Sequence, residues 1–367
     1  MAKVITTELQ HSGASAANIT LDSSKNVTCE NNLQVDGNVT VTGTLPADKL
    51  TGNLPAISGA SLTNLPASPP AFRNLLINGS MNICQRGGYA SQGTSGKYGP
   101  DRWELKGQAS GMEHAFVHQD TGMAEFPKCL RFDCTTAATG AVTEVKINQS
   151  IESQNLVPLL WGTSSAKSIT FSFWVRSNQA ATYILWLYKD DGSRHNAKSY
   201  TISAADTWEK KTITFAGDQT TAIANDNTRG LKCEFIINSG TGYTSGSSPN
   251  GTWENLTDVN RYAGLTATIG GNTNDYFDLT GVQVEEGTTA TDFEHRTYHE
   301  ELYKCQRYFQ KWSSETGGNW AGRWNGTADF VFAVPLATPL RASPSIECKP
   351  NDTSGSGNGE WKVFRTD

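Results

Sequence analysis

The first aromatic residue in the chain is Phe72, although the sequence holds 14 Phe, 11 Tyr and 10 Trp. Aromatic side chains carry much of the apolar burial of a globular core. The stretch before Phe72, rich in Thr, Asn, Gly and Ala, therefore has little to offset its ordering entropy. Two physical regimes follow: a thin leading segment that needs company, and an aromatic-rich segment able to fold alone.

In the thin segment the apolar residues keep one parity. Ile19, Leu21, Val27, Cys29, Leu33, Val35, Val39, Val41 and Leu45 are all odd-numbered, and period two means extended structure with one inward face. Asp22–Asn26 and Asp36-Gly37 fall where turns are expected. Such short strands lack a partner layer in their own chain, so the economical arrangement is several copies wrapped around a shared axis. Beyond Leu45 the pattern becomes Leu-Pro punctuation at Leu45-Pro46, Leu54-Pro55 and Leu65-Pro66. Proline fixes φ, removes a donor and biases the preceding residue to extended geometry. The expectation is a stiff β shaft, with Ser68-Pro-Pro70 as the boundary before the globular part.

Composition narrows the class. With 18% charged residues, 37% hydrophobic residues and 35 Gly, the chain resembles an all-β, loop-rich protein. A formal net charge of -6 argues against nucleic-acid binding, whose footprint is a basic patch. Met1–Gln10 has no apolar core of signal-peptide length, and no run of about 18 apolar residues suits a membrane span. The seven cysteines form no CxxC pair and read as scattered free thiols, which suits folding in a reducing cytoplasm.

From Phe72 on, strand signals dominate. Ile169–Val175 alternates, Tyr183–Tyr188 is apolar on both faces, and Asp190-Asp-Gly192 closes it as a turn. Trp208–Phe215 and Leu231–Ile237 continue the series, and in Phe277–Val284 the apolar parity flips across Thr280-Gly281, the mark of a β-bulge. Short strands between Gly/Ser/Asn loops predict a two-sheet antiparallel sandwich of jelly-roll type. Trp103, Trp174 and Trp208, in or beside strands, are expected in its core.

Several blocks occur in order: Asn74-Leu-Leu-Ile-Asn-Gly-Ser-Met81, Tyr98-Gly-Pro-Asp-Arg-Trp103, Ile169–Arg176, Asp206-Thr-Trp-Glu-Lys210 and Leu279-Thr-Gly-Val-Gln-Val-Glu285. They run into Thr288–Arg296 and Tyr298-His-Glu-Glu-Leu-Tyr-Lys-Cys-Gln-Arg-Tyr-Phe309. This succession resembles the structural fibre proteins of tailed bacteriophages, whose globular part is a carbohydrate-binding-module-like sandwich. The resemblance covers about residues 74–348, with Gly281–Phe309 its most specific block, and the thin segment is similar to the shaft repeats of such fibres.

The resemblance implies a homotrimer on a virion tail, assembled in the bacterial cytoplasm and attaching to host surface polysaccharide. The expected organisation is all-β. Residues 1–18 form a virion-attachment segment joining tail or baseplate proteins, 19–71 an extended trimeric β shaft, 72–296 a central jelly-roll β-sandwich, and 297–367 a partial second small β domain at the C-terminus. Glu301–Phe309 reads as a helical turn continuing into a strand, and Asp329–Val334 resembles the opening of a tip sandwich. The chain then runs to Trp361–Asp367 without evident closing strands. An abbreviated tip, one completed by neighbouring subunits, and a truncated sequence are the readings left open.

Catalytic chemistry is poorly supported. Glu285-Glu286 on a strand point to opposite faces, Asp190-Asp191 sits in a turn, and His295 and His299 have helical metal-pair spacing without a third ligand. No cofactor is expected. A structural Ca²⁺ near Asn74–Asn78 and Asp278 is considered from the resemblance, but six to eight oxygens do not assemble from the sequence. Sugar rings stack their C–H faces on Trp and Tyr, so aromatic residues in polar loops are the glycan-binding candidates: Trp253, Tyr262, Trp320 and Trp324. A non-enzymatic attachment fibre is the leading expectation. A purely architectural adaptor is the alternative. A polysaccharide depolymerase would need a long parallel β-helix and clustered carboxylates, neither of which is visible.

Overall fold

A computed structural model describes residues 8–9, 19–21, 27–29, 73–92, 96–313, 322–324, 330–332, 335–348 and 360–364. The chain divides into two compact units, Met1–Pro66 and Ala67–Asp367. In the first, β1 (Glu8–Leu9), β2 (Ile19–Leu21) and β3 (Val27–Cys29) form an antiparallel sheet. Its register sets Leu9 opposite Ile19, Ile19 opposite Cys29 and Leu21 opposite Val27, so odd positions pair with odd. These three strands find partners within one chain. The remaining odd-numbered positions and the Leu-Pro repeats lie outside the described residues.

The second unit is an antiparallel sandwich of jelly-roll type. Its strands begin with β4 (Tyr89–Gln92), β5 (Lys97–Tyr98), β6 (Glu104–Ala109), β7 (Glu113–Asp120) and β8 (Lys128–Thr136). They continue with β9 (Val142–Glu152), β10 (Ile169–Ser177), β11 (Thr182–Lys189) and β12 (Arg194–Thr201). The series closes with β13 (Glu209–Phe215), β14 (Arg229–Ser239), β15 (Glu254–Asn255) and β16 (Tyr276–Glu286). One sheet has the order β13-β10-β16-β8-β7-β4 and the other β15-β12-β11-β14-β9-β6-β5. Alternation decides which side chains meet between them. Phe171, Phe173 and Val175 of β10 face Leu185, Leu187, Cys233 and Phe235 of the opposite sheet in one core cluster, with Phe173 edge-on to Phe235 at 5.0 Å.

Strand β11 is apolar on both faces because each face is covered. Tyr183, Leu185 and Leu187 join the main core, whereas Ile184 and Trp186 join a second cluster with Ala197, Ile236 and Tyr262. In β16 the parity flip is a bulge: Ser172 pairs with Gln283 but Trp174 with Thr280. Gly281 there has φ +59°, and a Cβ would lie 2.9 Å from the Phe126 ring, so only glycine fits. The bulge keeps Phe277 and Leu279 before it, and Val282 and Val284 after it, in the core. Trp103 is a core residue, but Trp174 and Trp208 are half-buried on the outer face of the six-stranded sheet. There Arg176 lies 4.8 Å over the Trp208 ring. Among the described residues Cys84, Cys129, Cys134, Cys233 and Cys305 are free thiols.

Entry to the sandwich and exit from it lie side by side. Asn74 donates through Nδ2 to Val282 O (3.1 Å) and accepts at Oδ1 from Leu76 N and Val284 N (both 3.0 Å). Its own N–H donates to Glu294 Oε2 at 2.7 Å, while Arg296 donates to the carbonyls of Leu76 and Asn74.

The only described helix longer than one turn, α2 (Tyr298–Gln306), follows at once; α1 (Thr241–Thr244) is a single turn. Thr297 and Glu300 form a reciprocal capping box that starts α2. Its buried face carries Glu301, which accepts from Asn78 N, and Cys305. The helix leads into β17 (Phe309–Ser313), matching the expected turn-then-strand reading. Strands β18 (Gly322–Trp324) and β19 (Phe330–Phe332) pair with each other, while β20 (Ser345–Cys348) and β21 (Glu360–Phe364) complete a sheet of order β17-β21-β20. Trp361–Phe364, expected to close nothing, thus belongs to the central strand of that sheet.

Candidate functional site

The outer face of the seven-stranded sheet is built by the residues that alternate with its core positions. On β9, Val145, Ile147 and Ile151 point inward, leaving Lys146, Asn148, Ser150 and Glu152 outward. Register places Asn148 between Glu104 of β6 and Glu234 of β14, and Ser150 opposite Lys232. One half of this face is roofed by the segment that carries Tyr243, Leu256 and Tyr262. The other half is open, and forms a groove with a cavity volume of about 100 Å³.

Glu104, Lys106, Asn148, Ser150 and Lys232 make the groove floor, and Tyr98, Arg229, Tyr308 and Arg341 its rim. Tyr308 is brought there by the residues just after α2. Its hydroxyl donates to Glu152, beside Arg307, whose Nε and Nη2 each lie 2.8 Å from the same carboxylate. The Arg102 guanidinium sits 3.4 Å over the Tyr308 ring and donates to Ser150 O at 2.6 Å. Arg86 lies 4.7 Å over Tyr98 and 3.7 Å over Phe309.

The charges are ordered into a network. Lys146 bridges Glu144 (2.8 Å) and Glu234 (3.0 Å), and donates to the Tyr262 hydroxyl at 3.2 Å. Lys232 lies 2.8 Å from Glu234, and Lys106 3.2 Å from Glu104. Burial opposes ionisation of Glu234, but Lys146 and Lys232 outweigh it and hold its carboxyl below the usual range. Glu152 behaves alike: burial is outweighed by Arg307 and Tyr308. Burial pushes the Lys232 ammonium down, and Lys146 and Lys106 add to that, against the pull of Glu234. Burial also pushes the Tyr308 phenol up to about 12.

Two glycan candidates from the sequence prove to be packing residues. Trp253 is 8% exposed, donates through Nε1 to Ala216 O at 2.7 Å, and meets Trp161 edge-on at 5.2 Å. Tyr262 is wholly buried against Trp186, with its hydroxyl 2.9 Å from Glu144. Their polar loop sequence conceals packing roles, Trp253 in the main core and Tyr262 in the roof, and neither ring offers a sugar an open face. Trp320 and the Trp324 side chain lie outside the described residues.

The calcium expectation meets side chains already engaged. Asp278 is clamped by Arg131 (2.7 Å) and Arg176 (2.8 Å), and the Asn78 amide serves Ile83 and Asp101. His295 is 51% exposed and stacks on Phe126, and His299 is exposed. Among the described residues no group of three or more His, Cys, Asp or Glu converges as a metal site. Glu285 and Glu286 do face opposite ways, Glu285 buried beside Thr291 and Glu286 exposed.

The groove residues were missed because the outward positions of β9 and β14 look like any solvated strand face. The alternation in Val142–Glu152 was the available signal.

No family model and no curated protein matches the chain. Solved structures that it resembles include the enzymatically active domain of tailspike protein 4 of bacteriophage CBA120. That match has 8% identity and a TM-score of 0.29, covering 50% of this chain and 19% of the tailspike chain. The CBM22-1 xylan-binding domain of Paenibacillus barcinonensis is 11% identical, with 59% of this chain and 96% of that one covered and a TM-score of 0.26. A Stig cyclase from Fischerella sp. TAU is 8% identical, covers 59% and 99%, and has a TM-score of 0.34. This chain therefore spans less than a fifth of the tailspike's length.

Proposed function

We propose that this protein is a non-enzymatic fibre of a tailed-bacteriophage virion, homotrimeric, which attaches the particle to its host by holding a surface saccharide in the groove. The fibre part is supported by the ordered blocks from Asn74 to Phe309 and by the one-parity apolar positions of the thin segment. Residues 1–18 then join other tail or baseplate proteins, and assembly takes place in the bacterial cytoplasm. The saccharide part is carried by one observation: an open groove on a jelly-roll sheet, with tyrosines on its rim and hydrogen-bonding side chains on its floor. Ring faces and edges meet sugar C–H groups, while Asn148, Ser150 and the charged pairs serve hydroxyls. Host-cell adsorption of the intact protein tests this. Tyr98→Ala and Tyr308→Ala should each reduce adsorption, and unchanged adsorption by both folded variants would sink it.

A purely architectural segment is the second reading. It is favoured by the guanidinium stacks, which cover one face each of Tyr98 and Tyr308. An architectural segment would not adsorb to host cells at all.

A further inference from the structure

We propose that the saccharide selected by this groove is acidic, its carboxylate or phosphate seated over Lys232 between Lys106 and Arg229; this rests on the glycan reading above. The chain as a whole has a net charge of -6, yet the described lining of the groove carries Arg102, Lys106, Arg229, Lys232 and Arg341 against two carboxylates, while Asp190 pairs with Arg229 and Glu234 with Lys232 from outside that lining. The two lining carboxylates, Glu104 and Glu152, are both buried and both engaged, by Lys106 at 3.2 Å and by Arg307 at 2.8 Å.

The crowding of ammonium groups is the stronger indication. Register sets Lys106 opposite Lys146 on adjacent strands, and Lys146 and Lys232 share Glu234, with Glu144 as a second partner for Lys146. Like charges opposite one another in a sheet are unfavourable. Burial lowers the affinity of Lys232 for its proton against the pull of Glu234, and Lys146 and Lys106 add to the lowering. A ligand anion over Lys232 relieves it, by a charge-assisted hydrogen bond in a partly desolvated site. Neutral sugars gain nothing there.

The experiment uses the full chain and three immobilised probes, oligogalacturonate, a glycerol-phosphate polymer and a neutral galacto-oligosaccharide, with inorganic phosphate as free competitor. Acidic polymers should bind, about tenfold more weakly in Lys232→Gln and in the more exposed Lys106→Gln, with affinity falling as salt rises. Which acidic polymer binds identifies the anion as carboxylate or phosphate. Neutral binding that equals or exceeds acidic binding, or acidic binding unchanged in both variants, would overturn the acidic assignment while leaving a glycan site; full displacement by inorganic phosphate at equal concentration would reduce the groove to a simple anion site and overturn the glycan reading. Binding of no saccharide, acidic or neutral, would overturn the glycan reading itself.

Discussion

Arg307 holds Glu152 through two parallel hydrogen bonds of 2.8 Å, Nε to Oε1 and Nη2 to Oε2. The pair ties the chain just after α2 to the last residue of β9, and so fixes where Tyr308 stands on the groove rim. A forked contact of this kind sets geometry as well as energy. Arg307→Ala leaves Glu152 buried with the Tyr308 hydroxyl and Gln154. Unfolding in urea should show a loss of about 2 kcal/mol, and protease should cut first between residues 297 and 308. Saccharide binding should fall more than stability does, because the rim moves.

Asp218 presents a second clamp, wholly internal. Its carboxylate meets Lys189 and accepts from Arg194 Nε at 3.1 Å, with Lys189 and Asp218 essentially unexposed. Asp218→Ala strands two cations under the sheet, and should cost about 3–5 kcal/mol in equilibrium unfolding. A loss below about 1 kcal/mol would show that water reaches this site.

His195 makes stability depend on pH. Trp186 donates its indole N–H to Nδ1 at 3.0 Å, so the proton sits on Nε2, which donates to Glu254 at 3.0 Å. Burial lowers the affinity of the ring for a second proton, against the pull of Glu254. The unfolded chain therefore binds that proton first. Stability is constant well above the unfolded value of about 6.5 and falls as pH drops from there toward the lowered folded value. His195→Gln, which can accept from Trp186 and donate to Glu254, should flatten the stability difference between pH 7.5 and pH 5.5. Equal slopes in both proteins would refute the assignment.

Trp253→Ala and Tyr262→Ala should act on folding rather than on binding. Each deletes a buried ring, at about 3–5 kcal/mol. Where the variants remain folded at low temperature, their saccharide affinity should match the parent within about twofold. A tenfold loss would return these rings to the site.

Light scattering of the intact protein should give three times the monomer mass. A monomer would remove the shared-axis explanation for the odd-numbered apolar positions.

The fold was more legible than the site. Ile169–Val175, Tyr183–Tyr188 and Leu231–Ile237 each carry a run of inward apolar residues, and such runs specify strands whatever their neighbours do. Even the bulge at Gly281 was visible, because a parity flip is a property of one strand. The groove is not a property of any one strand. Lys106, Asn148, Lys232 and Tyr308 come from three strands and the turn after α2, and only register and docking bring them together. Trp253 misled for the converse reason: a polar loop sequence says nothing about what the loop covers.

The side-by-side entry and exit of the sandwich have a mechanical consequence. Tension applied along the chain from both directions arrives at Asn74 and leaves at Arg296, two residues in direct contact. The load passes through that latch and the hydrogen bonds from Asn74 to Val282, Val284 and Glu294. The two hundred or so residues between them hang beside the line of force as an unloaded loop. An exception is Glu152, which Arg307 ties to the outgoing chain, so a pull from the C-terminal side reaches the groove rim at Tyr308 before it reaches the latch.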